Sequence, residues 1–174
     1  MVRPLCSPNL DYEAELVAVV GSTARHIDKA NALSIIVGYS YFNDGTIRNY
    51  QGKTSQWTIG KNFDKTGSFG PAFVSVDEVP PGGAGLNMKS RLNGKVMQDC
   101  NLTDMNFALD ETIAIVTECM TLEPGDLIVM GTQSSGCGFA QTPPVWMKAG
   151  DTIEVEIDVI GTLRNPVVDE VIRQ

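Results

Sequence analysis

Two glutamates stand where charged side chains are unfavourable. In residues 12–20, Glu13 and Glu15 share one face of a predicted strand with valines, while the other face carries tyrosine, alanine and leucine. A strand that is apolar on both faces is typically buried, so the two carboxylates would point side by side into a poorly solvated space. A divalent cation held by carboxylate oxygens would relieve this repulsion. The alternative is a strand end at which both acids emerge into water.

A third carboxylate, Asp44, lies in an Asn-Asp-Gly turn at 43–45. It follows the aromatic segment Gly-Tyr-Ser-Tyr-Phe and is followed by Arg48 and Gln51. Asn-Asp-Gly is by itself an ordinary turn sequence, so the position of Asp44 also has a purely structural explanation. The basic and amide side chains that follow could either bind a substrate or brace the turn.

Other polar residues need no chemical role. The acids of residues 151–159 alternate with isoleucines and valines, ending at Val159, which predicts a strand with one face in water. The single histidine, His26, lies in a polar connector, where we expect it on the surface. One histidine does not suffice for a histidine-based zinc site, and its position does not favour a Ser-His-Asp triad.

Strands must position these side chains. Most apolar stretches of the sequence are short and either alternate with polar residues or run continuously, as is typical of strands rather than helices. We therefore predict a mixed, β-rich α+β fold with a few short helices. Residues 86–92 and 95–98 flank Asn93-Gly94, a pair that suits a type I′ turn and predicts a β-hairpin.

Two helices are predicted. The first spans 28–37, with Asp28 as its cap, Leu33 and Ile36 facing inward and Gly38 as its terminator. The second begins at Asp110 and ends before Pro124-Gly125. Its apolar stripe is Ile113, Val116 and Met120.

Composition restricts the class of protein. A chain of 174 residues with 43% hydrophobic content fits a single domain, 1–174, in which 1–10 form a short lead-in. The net charge of −8 argues against nucleic acid or an anionic membrane as a partner. The sequence has no apolar run near the ~20 residues of a spanning helix and no signal-peptide layout at its start. We expect a cytoplasmic protein whose four scattered cysteines are buried or incidental thiols.

An ordered set of motifs resembles the fumarylacetoacetate hydrolase family from Asp11 to about Val168. The motifs are Tyr-Glu-Ala-Glu-Leu at 12–16, Gly-Tyr at 38–39, Asn-Asp-x-x-x-Arg-x-x-Gln at 43–51, Gly-Lys-Asn-Phe-Asp at 60–64, Gly-Pro at 70–71, Asn-Gly-x-x-x-Gln at 93–98, Leu-x-Pro-Gly-Asp at 122–126, Gly-Thr at 131–132, Gly-Asp at 150–151 and Gly-x-Leu-x-Asn at 161–165.

The resemblance implies a β-roll and, as the usual assembly, a homodimer. It implies a small oxo-acid substrate, a 2-oxo acid or 1,3-dicarbonyl acid, whose enolate chelates Mg²⁺ or Mn²⁺, with Ca²⁺ as a further option. Expected reactions are decarboxylation, tautomerisation or isomerisation, and C–C bond hydrolysis. The implied metal ligands are Glu13, Glu15 and Asp44, and the implied substrate-pocket residues are Arg48, Gln51, Lys61 and Thr132.

Lys61 is also the candidate catalytic residue, because an ammonium can stabilise the negative charge of an enolate.

Three departures from the family pattern concern the substrate more than the metal. The histidine-containing acid/base segment that precedes the Tyr-Glu-x-Glu strand in C–C hydrolases is not found in residues 1–10. Gly-Thr-Gln stands at 131–133 in place of Gly-Thr-Pro, and Arg-Asn stands at 48–49 in place of Arg-Asp. These features favour decarboxylation or tautomerisation over hydrolysis. Two alternatives are a degenerate core that serves as a metal-binding or structural subunit, and a hydrolase whose base comes from another subunit.

Overall fold

Strands make up most of the regular structure in the computed structural model, which describes residues 1–172. The β-rich α+β class expected from the sequence is confirmed. The strands are β1 (Val2–Arg3), β2 (Leu10–Asp11), β3 (Ala14–Val20), β4 (Ile36–Asn43), β5 (Thr46–Ile47), β6 (Ser68–Phe69), β7 (Val74–Ser75), β8 (Asn87–Leu92), β9 (Lys95–Asn101), β10 (Leu127–Val129), β11 (Thr152–Ile157), β12 (Gly161–Pro166) and β13 (Val168–Asp169). The α-helices are α1 (Arg48–Gln51), α2 (Thr58–Lys61) and α3 (Leu109–Cys119).

The larger sheet has the order β10-β3-β4-β6, and β7 also pairs with β4. Its central pair is antiparallel and runs in register from Ala14↔Asn43 to Val19↔Gly38. β3 is buried on both faces apart from the half-buried Val19. The prediction of a strand without a solvated face is therefore confirmed, and any acid on it must find its partners within the protein.

The second sheet has the order β12-β11-β8-β9 and contains the predicted hairpin. Asn93 and Gly94 have φ values of 52° and 81°, as the predicted type I′ turn requires. β11 buries its isoleucines and valine and leaves Glu154 and Glu156 half-exposed, as predicted for a strand with one face in water. Val159, however, was wrongly expected to face inward: it is 62% exposed, because the strand ends at Ile157.

The two sheets enclose the main hydrophobic core. Leu16 of β3, Tyr39 and Tyr41 of β4, and Val155 and Ile157 of β11 belong to one buried cluster, each at most 2% exposed. A second cluster lies towards the start of β11, around Ile153. Its other buried members are Leu10, Tyr12, Ile47, Leu92, Met147 and Val167.

The helix predicted for 28–37 is wrong. The carboxylate of Asp28 accepts hydrogen bonds from Asn31, but only one 3₁₀ turn follows, Ala32–Ile35. Ile36 already belongs to β4, where it pairs with Val20. The β-branched residues at 35–37 suit a pleated strand better than a helix, and Gly38 lies inside that strand.

The second predicted helix is confirmed as α3, with its start one residue earlier. Ile113 is fully buried and Val116 is half-buried, as expected. Met120 was wrongly placed in the buried stripe; it follows the helix and is 53% exposed, while Thr117 is buried in its place. No helix within residues 1–172 combines the length and apolarity needed to cross a membrane.

Two isoleucines on α3 provide a matched test of this packing. Ile113→Ala should lower the free energy of unfolding by about 2–5 kcal/mol, because it leaves a cavity in the main core. Ile115→Ala, at a position that is 48% exposed, should change it by less than about 0.5 kcal/mol. Urea denaturation followed by circular dichroism measures both. Equal losses would contradict this orientation of α3.

Candidate metal and substrate site

The pairing of β3 with β4 brings Glu13 and Asp44 together. Ala14 pairs with Asn43, and the ladder continues one step further where the Asp44 amide donates to the Glu13 carbonyl at 2.9 Å. The side chain of Asn43 accepts a hydrogen bond from the Glu13 amide at 3.0 Å. The Asn-Asp-Gly turn at 43–45, which gives Asp44 a structural role, therefore also holds Asp44 beside Glu13.

Glu15 completes a cluster of three carboxylates. It lies two residues beyond Glu13, so both side chains point to the same face. Its Oε2 accepts a hydrogen bond from the Gly131 amide at 2.7 Å. One oxygen from each of Glu13, Glu15 and Asp44 can be chosen so that all three lie within 4.8 Å of one another. Glu13 and Glu15 are only 6% and 4% exposed, which disfavours the alternative of a solvated strand end.

This cluster carries more negative charge than its surroundings balance. Burial, reinforced by Asp44 and Glu13, raises the pKa of Glu15 to about 8. Burial also raises the pKa of Asp44, although neighbouring Lys61 counteracts part of that effect. Of the cluster and buried Asp11, three carboxylates, Asp11, Glu13 and Asp44, contact two basic side chains, Arg48 and Lys61. A bound cation would keep Glu15 ionised despite its raised pKa, and the four carboxylates would then exceed the two basic groups by two negative charges. This excess and the oxygen-only donor set fit a hard divalent cation.

Lys61 lies at the end of α2 and reaches the cluster. Its ammonium forms ion pairs with Glu13 and, at 2.5 Å, with Asp44. Burial lowers the pKa of Lys61, but the two carboxylates outweigh it and the net pKa is raised, so the residue is a cation. The close approach of α2 to α1 requires glycine at position 60, since a Cβ there would lie 2.7 Å from the backbone of Gln51.

Arg48, the first residue of α1, is held by three side chains. Its Nε donates to Asp11 at 2.7 Å, a terminal nitrogen donates to Gln51 at 2.9 Å, and the other lies 2.7 Å from Glu13. The guanidinium also lies 4.3 Å from the ring centroid of Phe139. Gln51 and Arg48 thus form one unit that braces Glu13 rather than Asp44.

Asp11 is a site residue that the sequence reasoning did not select. Its carboxylate is fully buried and accepts hydrogen bonds from the amides of Tyr12, Gly138 and Phe139 and from Arg48. It therefore joins β2, α1 and the loop around Gly138. The signal was available, because Asp11 continues the every-second-residue spacing of the two glutamates.

Thr132 lies next to Gly131 and is tied to the hairpin. Its hydroxyl accepts a hydrogen bond at 2.7 Å from Gln98, a buried β9 residue whose amide oxygen also accepts from Ala14. A cleft of about 620 Å³ extends along the outer side of this loop, with Thr132 and Gln133 among its lining. Gln98 was recognised in a motif but given no role.

The structure brings all seven sequence-predicted site residues into one region. Lys61 and Arg48 contact the carboxylate cluster directly, Gln51 is bonded to Arg48, and Thr132 follows Gly131, whose amide donates to Glu15. Their roles as metal ligands and substrate contacts stay predictions.

The histidine and the thiols play no part in the cluster. His26 is exposed and bonded through its backbone to Thr117 beside α3. Cys6, Cys100, Cys119 and Cys137 are free thiols. Burial raises the pKa of Cys137 to about 12, so this thiol stays protonated at neutral pH.

One protein family matches almost the whole chain. The family model described as fumarylacetoacetate (FAA) hydrolase C-terminal matches residues 1–168. The chain belongs to the fumarylacetoacetate hydrolase family. The resemblance seen in the motifs is confirmed.

Relatives and solved structures agree with this assignment. This family member is 38% identical over 164 residues to the mitochondrial oxaloacetate tautomerase fahd2 of Xenopus laevis, covering 93% of this chain and 51% of the relative. It is 39% identical over 158 residues to the oxaloacetate tautomerase YisK of Bacillus subtilis, covering 91% and 52%. The chain thus spans about half the length of these two curated relatives.

Among solved structures, a fumarylacetoacetate hydrolase from Exiguobacterium antarcticum superposes with a TM-score of 0.89 at 37% identity, covering 94% of this chain and 58% of the other. A 2-hydroxyhepta-2,4-diene-1,7-dioate isomerase from Mycobacterium marinum gives a TM-score of 0.85 at 34% identity, covering 96% and 62%. The expected β-roll of the fumarylacetoacetate hydrolase family is therefore confirmed.

Asp11→Asn tests the anchoring of the site. The introduced amide group would face N–H donors and leave Phe139 and Arg48 without an acceptor, so the free energy of unfolding should fall by about 3–5 kcal/mol. The control is Asp64→Asn at an exposed position, which should stay within about 0.5 kcal/mol of the parent. Urea denaturation distinguishes the two, and similar values for both variants would refute the anchoring role.

Proposed function

We propose that this protein is a divalent-metal-dependent tautomerase acting on a 2-oxo acid or a related 1,3-dicarbonyl acid, with oxaloacetate as the first substrate to test. The observation that carries the proposal is the convergence of Glu13, Glu15 and Asp44 next to the ammonium of Lys61. The names of the relatives support it, since oxaloacetate tautomerases and a hydroxyheptadienedioate isomerase are among them. Both names describe the movement of a proton beside a carbonyl group.

Glu13, Glu15 and Asp44 would hold the ion, with Mg²⁺ or Mn²⁺ preferred and Ca²⁺ as a further option. Their carboxylate oxygens are the hard donors that these cations bind, and the excess negative charge of the site favours a divalent over a monovalent ion. When bound, the ion would polarise the substrate carbonyl and stabilise negative charge on its oxygen.

The basic residues would serve the substrate. Lys61 is the proposed catalytic residue, because its ammonium can stabilise the negative charge that develops on the substrate oxygen. Thr132 would donate a hydrogen bond to a substrate oxygen. Arg48 donates hydrogen bonds to Asp11 and Gln51, while its other terminal nitrogen lies 2.7 Å from Glu13 without forming a hydrogen bond within residues 1–172, so the N–H groups that make no hydrogen bond would contact a substrate carboxylate.

Tautomerisation suits these side chains better than hydrolysis does. The reaction moves a proton between a carbon and the neighbouring carbonyl oxygen and needs no activated water, whereas hydrolysis needs a base to deprotonate one. The cluster offers carboxylates and an ammonium, while the single histidine of the chain is exposed beside α3. Decarboxylation of oxaloacetate needs the same electron sink and is the second reaction to measure.

We further propose a homodimer. Leu127 and Val129 on the edge strand β10 are 45% and 41% exposed, and Leu127 pairs with half-buried Val19, which pairs in turn with Gly38 beside the 54% exposed Phe73. An apolar sheet face of this kind is typical of an interface.

A cytoplasmic location is also proposed, because four free thiols suit a reducing compartment.

Metal binding is the primary test. Metal-stripped protein titrated calorimetrically with Mn²⁺ should show one specific site, and Glu15→Gln should weaken it by about a hundredfold or more, because the substitution removes a charged ligand of the ion. Oxaloacetate is then added, and its keto–enol interconversion and CO₂ release are followed.

The matched control is Glu154→Gln on the half-solvated strand β11, which should bind Mn²⁺ like the parent. Metal-dependent interconversion in the parent supports the tautomerase. Metal binding without turnover would replace it with a degenerate, metal-binding core, and the absence of specific binding would refute the metal site.

The dimer has its own test. The parent protein should sediment as a dimer, and Val129→Glu should sediment as a monomer, because the substitution buries a charge in the apolar face. The control Val96→Glu, at a similarly exposed position on β9, should stay dimeric. A monomeric parent would contradict the proposal.

A further inference from the structure

Gln98 is a buried polar residue that links three parts of the fold. It lies on β9 opposite Ser90, next to an irregularity in the hairpin, and is 1% exposed. A buried amide is costly unless its donors and acceptor all find partners. The hydrogen-bond partners of the Gln98 amide therefore indicate which segments this side chain holds together.

The partners of the amide fix its orientation. Oε1 accepts from the Ala14 amide at 3.1 Å, while Nε2 donates to the Thr132 hydroxyl and to the Gln133 carbonyl, each at 2.7 Å. Flipping the amide would place oxygen against the Gln133 carbonyl and NH₂ against the Ala14 N–H, so only one orientation is compatible with its neighbours. Ala14 separates Glu13 from Glu15, which places this network directly behind the carboxylates.

The network determines how Thr132 can interact. Because its hydroxyl oxygen accepts a hydrogen bond from Gln98, the hydroxyl proton is left for another acceptor. The adjacent Gly131 amide donates to Glu15, so the loop that carries Thr132 is fixed against the carboxylate cluster. A hydroxyl held in this way keeps its proton free to donate to a ligand.

We propose that Gln98 is a positioning residue that holds Thr132 as a hydrogen-bond donor and thereby selects a substrate with an acceptor oxygen, a carboxylate or carbonyl, at that position. The proposal rests on the proposed function for the identity of the substrate. It adds a residue outside the carboxylate cluster that controls substrate affinity rather than metal affinity. An amino group at the same substrate position would meet a donor and be rejected.

The test is a double-mutant cycle with Gln98→Glu and Thr132→Val. Gln98→Glu keeps an acceptor for Ala14 but removes the donors to Thr132 and Gln133, so KM for oxaloacetate should rise about tenfold or more while the Kd for Mn²⁺ stays within about threefold. Combined with Thr132→Val, it should add no further rise in KM. Additive effects on KM would overturn the proposal.

Ser90→Ala is the matched control, because Ser90 accepts from the backbone amide of Gln98 without contacting its side-chain amide. A rise in KM as large as that of Gln98→Glu would overturn the proposal by reducing the role of Gln98 to hairpin stability. If the introduced carboxylate prevents folding, Gln98→Met, which has a similar volume and no charge, takes its place in the cycle.

Amide hydrogen exchange on the metal-free protein keeps the inference separate from the proposed function. Segment 131–134 should exchange about tenfold faster in Gln98→Glu than in the parent or Ser90→Ala, because the loop loses its anchor. Faster exchange without any turnover in the parent would support the positioning role and refute the tautomerase. Unchanged exchange would overturn the positioning role whatever the activity.

Discussion

Buried negative charge is the constraint around which this site is built. Asp11, Glu13 and Glu15 follow one another at every second residue, and Asp44 is placed beside them by the β3–β4 ladder. Carboxylates with so little solvent are costly unless cations and N–H donors surround them. The neighbouring loops supply amides from Gly131, Gly138 and Phe139, while α1 and α2 supply a guanidinium and an ammonium. The remaining charge excess is what makes a divalent ion the fitting partner.

The need to balance buried negative charge also explains the two short helices near the site. α1 and α2 have four residues each, far fewer than an isolated helix needs. Their ends are held by the ion pairs of Arg48 and Lys61, and by the close contact that Gly60 permits. The basic side chains of the site are therefore ordered by the carboxylates that they contact, whereas the carboxylates lie on or next to the paired strands. A change in the charge of the cluster should thus affect α1 and α2 before it affects the sheets.

Periodicity and turn chemistry were sufficient to predict much of this arrangement. The doubly buried strand, the hairpin turn and the placing of Glu13 and Glu15 side by side depend on local sequence alone, whereas Asp44 entered the set only through the motif order that indicated the family. The helix at 28–37 was wrong because the β-branched residues 35–37 favour a strand and Ile36 pairs with Val20 of β3. Gln98 was missed as a site residue for a different reason: its partner Thr132 is distant in sequence, and no local pattern predicts that contact. Asp11 was missed although its every-second-residue spacing with the two glutamates was visible, because its partner Gly138 is equally distant.

The departures from the family pattern at positions 133 and 49 leave the hydrogen bonds of the fold unchanged. Position 133 is glutamine in place of the usual proline, yet Gln98 bonds to its main-chain carbonyl, which proline also has. Position 49 is asparagine in place of aspartate, and its side-chain oxygen accepts from Ser7 as a carboxylate would. Both exchanges preserve the acceptor that the fold uses. What does change at 133 is a side chain that lines the cleft beside this loop, while the hydrogen bond that holds Thr132 stays intact.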